Sequence, residues 1–149
     1  KPSKKLALAL EAVTDIAFHG GAEPVQSQDI ARRLGLPRRY LEQVMQQLVR
    51  AGILRGVRGP RGGYRLARER RRITVGQVVK VVQGSEEVIE EAGPVSESEL
   101  GRQVMAPFWQ EIELDLMRRL EDVTIEELCQ KAGEVGIESD ARRSIDFVI

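Results

Sequence analysis

The segment Arg55-Gly-Val-Arg-Gly-Pro-Arg-Gly-Gly-Tyr-Arg-Leu66 leaves the chain few folds to choose from. Glycine and proline at this density cannot continue a helix, since glycine frees the backbone and proline lacks the N–H and clashes with the preceding turn. Two short strands joined by a tight turn of Gly59, Pro60, Arg61, Gly62 and Gly63 suit the segment, giving a hairpin over 54–66. Arg55, Arg58, Arg61 and Arg65 make that hairpin basic. Just before it, Pro37–Arg50 reads as a helix. Proline fits the first helical position, Tyr40, Leu41, Val44, Met45 and Leu48 recur at helical spacing, and Gly52 stops it.

A helix followed by a basic hairpin implies nucleic-acid binding. The helix can lie in a major groove while the arginines follow neighbouring phosphates or enter the minor groove. Charge distribution supports this. The formal net charge is zero, but residues 1–72 hold 16 basic against 6 acidic side chains and residues 73–149 hold 7 against 17. The front half is an electrostatic footprint for a polyanion, and the back half should face away from it or toward protein.

Upstream, Ser3–Phe18 carries Leu6, Leu10, Val13 and Ala17 on one face and is ended by Gly20-Gly21. His19, the only histidine, suits the macrodipole at that helix end better than it suits a metal. Ser27 is placed to cap a short helix, Gln28–Leu34, and Gly35 supplies the turn to the next. Helix, glycine turn and helix make a helix-turn-helix pattern, which the basic hairpin extends into a winged one.

Beyond the basic run Arg68–Arg72, Thr74 and Gln77 form a capping box for a helix that buries Val75, Val78, Val79 and Val82 and ends at Gly84. Residues 84–106, rich in glutamate and interrupted by Gly93-Pro94, read as an acidic loop. From Pro107 a long helix sets Trp109, Ile112, Leu116 and Leu120 on one stripe, and Thr124 with Glu127 opens a last helix ending near Gly133. An apolar stripe so far from the first core needs a partner, either the same chain or a second copy. Residues 134–149 read as a flexible tail. The expected architecture is therefore mainly α with a small two-stranded wing. It comprises a winged helix-turn-helix domain over 1–83, the loop 84–106, a dimerisation helix and short final helix over 107–133, and the tail. No apolar run reaches the roughly 20 residues that span a bilayer, and the cytoplasm is the expected location.

This order of elements, with Gln28-Asp-Ile-Ala31, Tyr40-Leu-Glu-Gln43, Val57-Arg-Gly-Pro60, Gly62-Gly-Tyr64 and Ile73-Thr-Val-Gly76, resembles the Rrf2 family of bacterial winged-helix transcription regulators from about Ser3 to Ala132. The resemblance implies a homodimer, held by the helix from Pro107, that binds double-stranded DNA at one palindromic operator, most simply as a repressor. It implies base reading by Arg39, Tyr40, Glu42 and Gln43 and a minor-groove wing of Arg58, Gly59, Pro60, Gly62 and Gly63. Gln28, Arg38, Arg61 and Tyr64 complete the expected DNA-facing set. The chemistry fits: Glu42 can accept from a cytosine amino group, Gln43 can pair with an adenine edge, and Arg58 suits a narrow minor groove. Tyr40 can equally be a core contact and Glu42 a partner of nearby arginines.

Two departures qualify that expectation. The resemblance implies an iron–sulfur cluster on three cysteines in the loop before the long helix, yet the chain has one cysteine, Cys129, and it lies beyond that helix. No cofactor is expected, and control would fall to a protein partner or small effector; the resemblance implies that members without the cysteines include a type regulated by complex formation with a cysteine-biosynthetic enzyme. Leu6-Ala-Leu8 also stands where the family usually has Gly-Arg-Tyr or a similar tripeptide. The alternatives are a redox or metal response through Cys129, or a winged helix used only for protein contacts. An enzyme is disfavoured, because no phosphate-cradling glycine motif, His–nucleophile pair or metal-ligand cluster is present.

Overall fold

The structure, a computed structural model, describes residues 2–83 and 96–141. The elements are α1 (Lys4–His19), α2 (Ser27–Leu34), α3 (Arg38–Arg50), β1 (Leu54–Val57), β2 (Gly63–Leu66), a 3-10 turn (Arg70–Arg72), α4 (Val75–Gln83), a π-helical turn (Gly101–Met105), α5 (Ala106–Asp122) and α6 (Ile125–Glu134). This is the expected mainly helical fold with one small antiparallel sheet.

Helix α1 is the central post. The Ser3 hydroxyl caps it by accepting from the Leu6 N–H at 3.2 Å, and its buried face combines Leu6, Val13 and Ile16 with Ala9 and Ala12. Alanines at the contact let neighbouring helices come close, and α4 and α6 both pack against it. The register differs slightly from the sequence reading, since Leu8 and Ala9 are buried while Leu10 is half-buried. Helix α3 buries Leu41, Val44, Met45 and Leu48 at no more than 3% exposure, each worth roughly 1.5–3 kcal/mol of burial. Pro37 is its N-cap rather than its first helical residue. Ile30 of α2 closes the angle between the two helices, and Gly35 turns the chain in a left-handed conformation at φ 66°.

The hairpin pairs Leu54 with Leu66, Arg55 with Arg65, Gly56 with Tyr64 and Val57 with Gly63. On the other edge of β2, Val25 forms an isolated bridge, exchanging backbone bonds of 3.0 and 2.8 Å with Tyr64, so the wing is anchored to the loop before α2.

Helix α4 opens with the expected capping box: the Gln77 N–H donates to Thr74 Oγ1 at 3.1 Å and the Thr74 N–H to Gln77 Oε1 at 3.3 Å. The segments entering α4 and α6 are tied side by side through Val75 N–H to Val123 O and Ile125 N–H to Ile73 O, at 2.8 and 2.9 Å. Gly84, expected to end α4, lies outside the described residues, as does the glutamate-rich stretch to 95.

Two features after residue 95 depart from the sequence reading, the start of the long helix and the residues after α6, and the α5 stripe departs from it only at Leu120. The long helix begins before Pro107, because residues 101–105 form a π turn in which the Ala106 N–H reaches Gly101 O. The wider turn gives the proline ring room that a regular helix would deny it. Helix α5 buries none of its residues fully, and Phe108, Trp109, Ile112 and Leu116 are exposed, whereas Met117 and Leu120 pack on the core. Residues after α6, read as a flexible tail, return to α1: the Ser139 hydroxyl donates to Phe18 O at 2.6 Å and the Asp140 N–H to His19 Nδ1 at 3.1 Å. His19 is thus a hydrogen-bond acceptor for the chain's own backbone. The apolar end, residues 145–149, lies outside the described residues.

Candidate nucleic-acid interface

A groove of about 620 Å³ runs between α3 and the wing. One wall carries Arg38, Glu42 and Gln46 from α3 with Ser27 and Gln28 from the start of α2; the other carries Arg58, Gly59, Pro60, Gly62, Gly63 and Tyr64. The chain therefore brings together nine of the expected residues: Gln28, Arg38, Glu42, Arg58, Gly59, Pro60, Gly62, Gly63 and Tyr64. Arg39, Gln43 and Arg61 are exposed but stand outside the groove, and Tyr40 is half-buried against the core, the alternative its spacing left open.

Sequence reasoning missed Ser27 and Gln46. Ser27 does not cap α2; Gln26 holds that position, and its side chain accepts from Gln28 Nε2 at 3.0 Å instead of capping a backbone N–H. Instead the Ser27 hydroxyl, 7% exposed, donates to Glu42 Oε1 at 3.3 Å and accepts from Arg38 Nε at 3.1 Å. Arg38 Nε also donates to Glu42 Oε1 at 3.0 Å. Glu42 is the arginine partner its spacing allowed, and its carboxylate is fixed in the groove before any ligand arrives. Across the groove the Tyr64 phenol pKa is raised, first by burial and then by the negative charge of Glu42, with a hydrogen bond to Gln46 acting the other way.

The wing glycines answer to the protein itself. A Cβ on Gly62 would sit 2.2 Å from Val57 O, and one on Gly63 would sit 2.3 Å from Val25 O. Their smallness closes the hairpin and seats it on Val25, a more immediate reason than open access to a groove of DNA. Gly59 turns the chain at φ 111°, and the Gly62 N–H closes the loop onto Gly59 O at 2.9 Å.

The sensor alternative centred on Cys129 meets a buried thiol. The residue is 4% exposed, and burial raises its pKa despite the nearby Arg70 guanidinium, which is paired with Glu126. A thiol reacts as thiolate, so this setting suppresses reactivity. Among the described residues no three His, Cys, Asp or Glu side chains converge to hold a metal ion, and no helix is long and apolar enough to cross a membrane.

A helix-turn-helix whose second helix borders a basic two-stranded wing defines a winged-helix, DNA-binding transcriptional regulator, and that is the class of this protein. Residues 2–131 match the family described as "Rrf2: Iron-dependent Transcriptional regulator", and the chain belongs to it. It is 34% identical over 149 residues to the HTH-type transcriptional regulator IscR of Vibrio atlanticus (strain LGP32), covering 100% of this chain and 85% of that one. Among solved structures it is similar to T. potens IscR, with a TM-score of 0.73, 32% identity and 93% coverage of each chain. It is also similar to CymR (YrzC), the global cysteine regulator of B. subtilis, with a TM-score of 0.72, 28% identity and coverage of 88% and 97%. These relatives are transcriptional regulators, not enzymes. The iron in the family description can be set against the donors present. With one cysteine in the whole chain, and that one buried in the core, the residues do not fit a cluster held by three cysteines.

Proposed function

We propose that the protein works as a homodimer on a palindromic operator, most simply as a repressor, and without a three-cysteine iron–sulfur cluster. The observation that carries the reading is the groove in which a preset Glu42 and Arg38 face a glycine-lined wing bearing Arg58. Helix α3 lies in the major groove, with Arg39 and Gln43 on its exposed surface joining Glu42 in reading bases, and the turn around Arg58–Gly63 enters the adjoining minor groove. Gln28, Arg38, Arg61 and Tyr64 hold phosphates or orient the readers, and Tyr40 contributes through its exposed edge. The apolar face of Trp109, Ile112 and Leu116 supports pairing of α5 with its copy, since a surface of this kind marks an interaction site. The two reading helices then stand one DNA turn apart, roughly 34 Å, or a multiple of it. Signals reach the DNA-binding half through a partner or effector on the acidic half.

Selection of bound duplexes from a random library, with and without iron and reductant, tests this. Affinity for the selected site should fall steeply between about 50 and 200 mM salt. Glu42→Ala or Gln43→Ala should shift base preference by about 1–3 kcal/mol for each base edge left unread, while Arg58→Ala weakens binding to all sites. Affinity indifferent to salt refutes the phosphate contacts, a monomer in sedimentation refutes the dimer, and stoichiometric iron and sulfide in anaerobically purified protein refute the cluster-free reading.

A further inference from the structure

The wing has a second face. Side chains alternate along a strand, so Leu54, Leu66 and Tyr64 point toward α3 and the core while the intervening cross-strand pair, Arg55 and Arg65, points the other way. Like charges directly opposite one another destabilise a hairpin, so the pair calls for an anion. Arg65 is drawn back onto the carbonyls of Gly21 and Ala22 at the end of α1. Arg55 is exposed, and among the described residues it has no carboxylate and no hydrogen-bond partner. Behind the wing these two arginines border a cleft of about 430 Å³ together with Arg68 and Arg70. Its acids are Glu23 and Glu69, which pair with Arg61 and Arg71, while Arg70 is paired with Glu126 and Arg68 bonds Gln77. Arg55, Arg65 and Arg68 are thus left without a carboxylate among the described residues, and of the three only Arg55 has no hydrogen-bond partner there to hold it.

The geometry points to a second phosphate contact: the back of the wing, through Arg55, grips the DNA strand on the side away from α3. This rests on the DNA-binding reading and extends it. A wing inserted in a minor groove stands between two phosphate walls about 6 Å apart. The front wall is met from the α3 groove. The tip, Arg58–Gly63, reaches inward, which leaves the base of the hairpin level with the phosphates, and Arg55 lies at that base. The surface lies on the opposite face of the same hairpin, with Tyr64 bordering both clefts, and is of the sign a phosphate backbone needs. The contact is to backbone, so it adds affinity and orientation without choosing bases.

The test compares wild type, Arg55→Gln and Arg55→Lys on a duplex selected by the wild-type protein and on the same duplex trimmed on its outer, wing-side flank. On the full duplex the glutamine variant should bind severalfold more weakly, with its log–log salt slope shallower by about 0.9 for each phosphate no longer neutralised in a half-site. The lysine variant should keep the wild-type slope. Trimming should erase the difference between wild type and Arg55→Gln, and base preference should not move. Equal slopes and affinities for wild type and Arg55→Gln on the full duplex overturn the contact, as does a lower melting temperature for Arg55→Gln, which would make the arginine structural. Inorganic phosphate shifting the NMR signals of wild type but not of Arg55→Gln, with DNA binding unchanged, would make the cleft a small-anion site and also overturn it. The underlying DNA-binding reading fails separately, if wild type itself shows no salt-dependent binding.

Discussion

Replacing Arg33 by methionine should be among the most damaging single changes outside the apolar core. Arg33 of α2 binds Asp15 of α1 with both arms of its fork, Nε to Oδ2 and Nη2 to Oδ1, each at 2.8 Å. Its third arm reaches Asp140 Oδ2 at 2.9 Å. The Asp15 side chain is 8% exposed and that of Arg33 19%, so the pair is largely out of water, whereas Asp140 at 48% adds little. Asp15 also lies 3.9 Å from His19 Nε2, beyond hydrogen-bond distance. Removing one partner of a buried pair costs about 3–5 kcal/mol, because the other charge stays behind unpaired. With the remaining solvent access, Arg33→Met should cost about 2–4 kcal/mol, a large part of the roughly 5–15 kcal/mol that holds a domain together. Urea unfolding followed by circular dichroism at neutral pH measures it. Adding Asp15→Leu to Arg33→Met should recover most of the loss, since a well-packed apolar pair can replace a buried ion pair at little cost. A single variant within about 0.5 kcal/mol of wild type, or a double variant as unstable as the sum of the two single changes, would refute the reasoning.

Three further outcomes follow from the geometry. Gly63→Ala drives a methyl into Val25 O and should unseat the wing, lowering both the unfolding midpoint and the salt-dependent part of DNA affinity; binding with wild-type salt dependence would contradict it. The Tyr64 phenol keeps its proton more tightly folded than unfolded, so its contribution to stability is complete below the ordinary phenol pKa and is lost as pH rises through the raised one. Stability of Tyr64→Phe should therefore decline less over that alkaline range than wild type, and parallel declines would count against the shift. Leu116→Glu or Trp109→Glu places charge on the exposed stripe of α5 and should yield a monomer in analytical ultracentrifugation with circular dichroism unchanged; a dimer surviving both changes would place the interface elsewhere.

Features set by near neighbours in sequence were legible in it. The stripe Leu41–Leu48, the Thr74–Gln77 capping box and a hairpin over 54–66 depend on periodicity and turn chemistry within a dozen residues, and each is found in the structure, although Gly63, read as part of the turn, opens the second strand opposite Val57. What escaped depends on elements meeting across the fold. Ser27 carries the signature of a cap, and nothing local reveals that its hydroxyl meets Glu42 fifteen residues later. The contacts of Ser139 and Asp140 with α1 span 121 residues, beyond the reach of any period. Tyr40 shows the opposite limit: helical spacing puts it on the border between the core and the exposed face, and only packing decides for a half-buried position. The wing glycines stand out in the sequence as indispensable to the turn, but the reason lies in backbone brought close by the fold.

Cys129 gives the protein a built-in clock. It is the only thiol in the chain, it belongs to the core cluster beneath α6, and burial disfavours the thiolate a labelling reagent needs. A thiol reagent under native conditions can reach it only when α6 lifts away, so the labelling rate is the intrinsic rate multiplied by the fraction of time that seam is open. No cysteine has to be engineered in or removed for that measurement. Comparing the rate in free and DNA-bound protein would report in kcal/mol how firmly α6 is held when the wing is occupied.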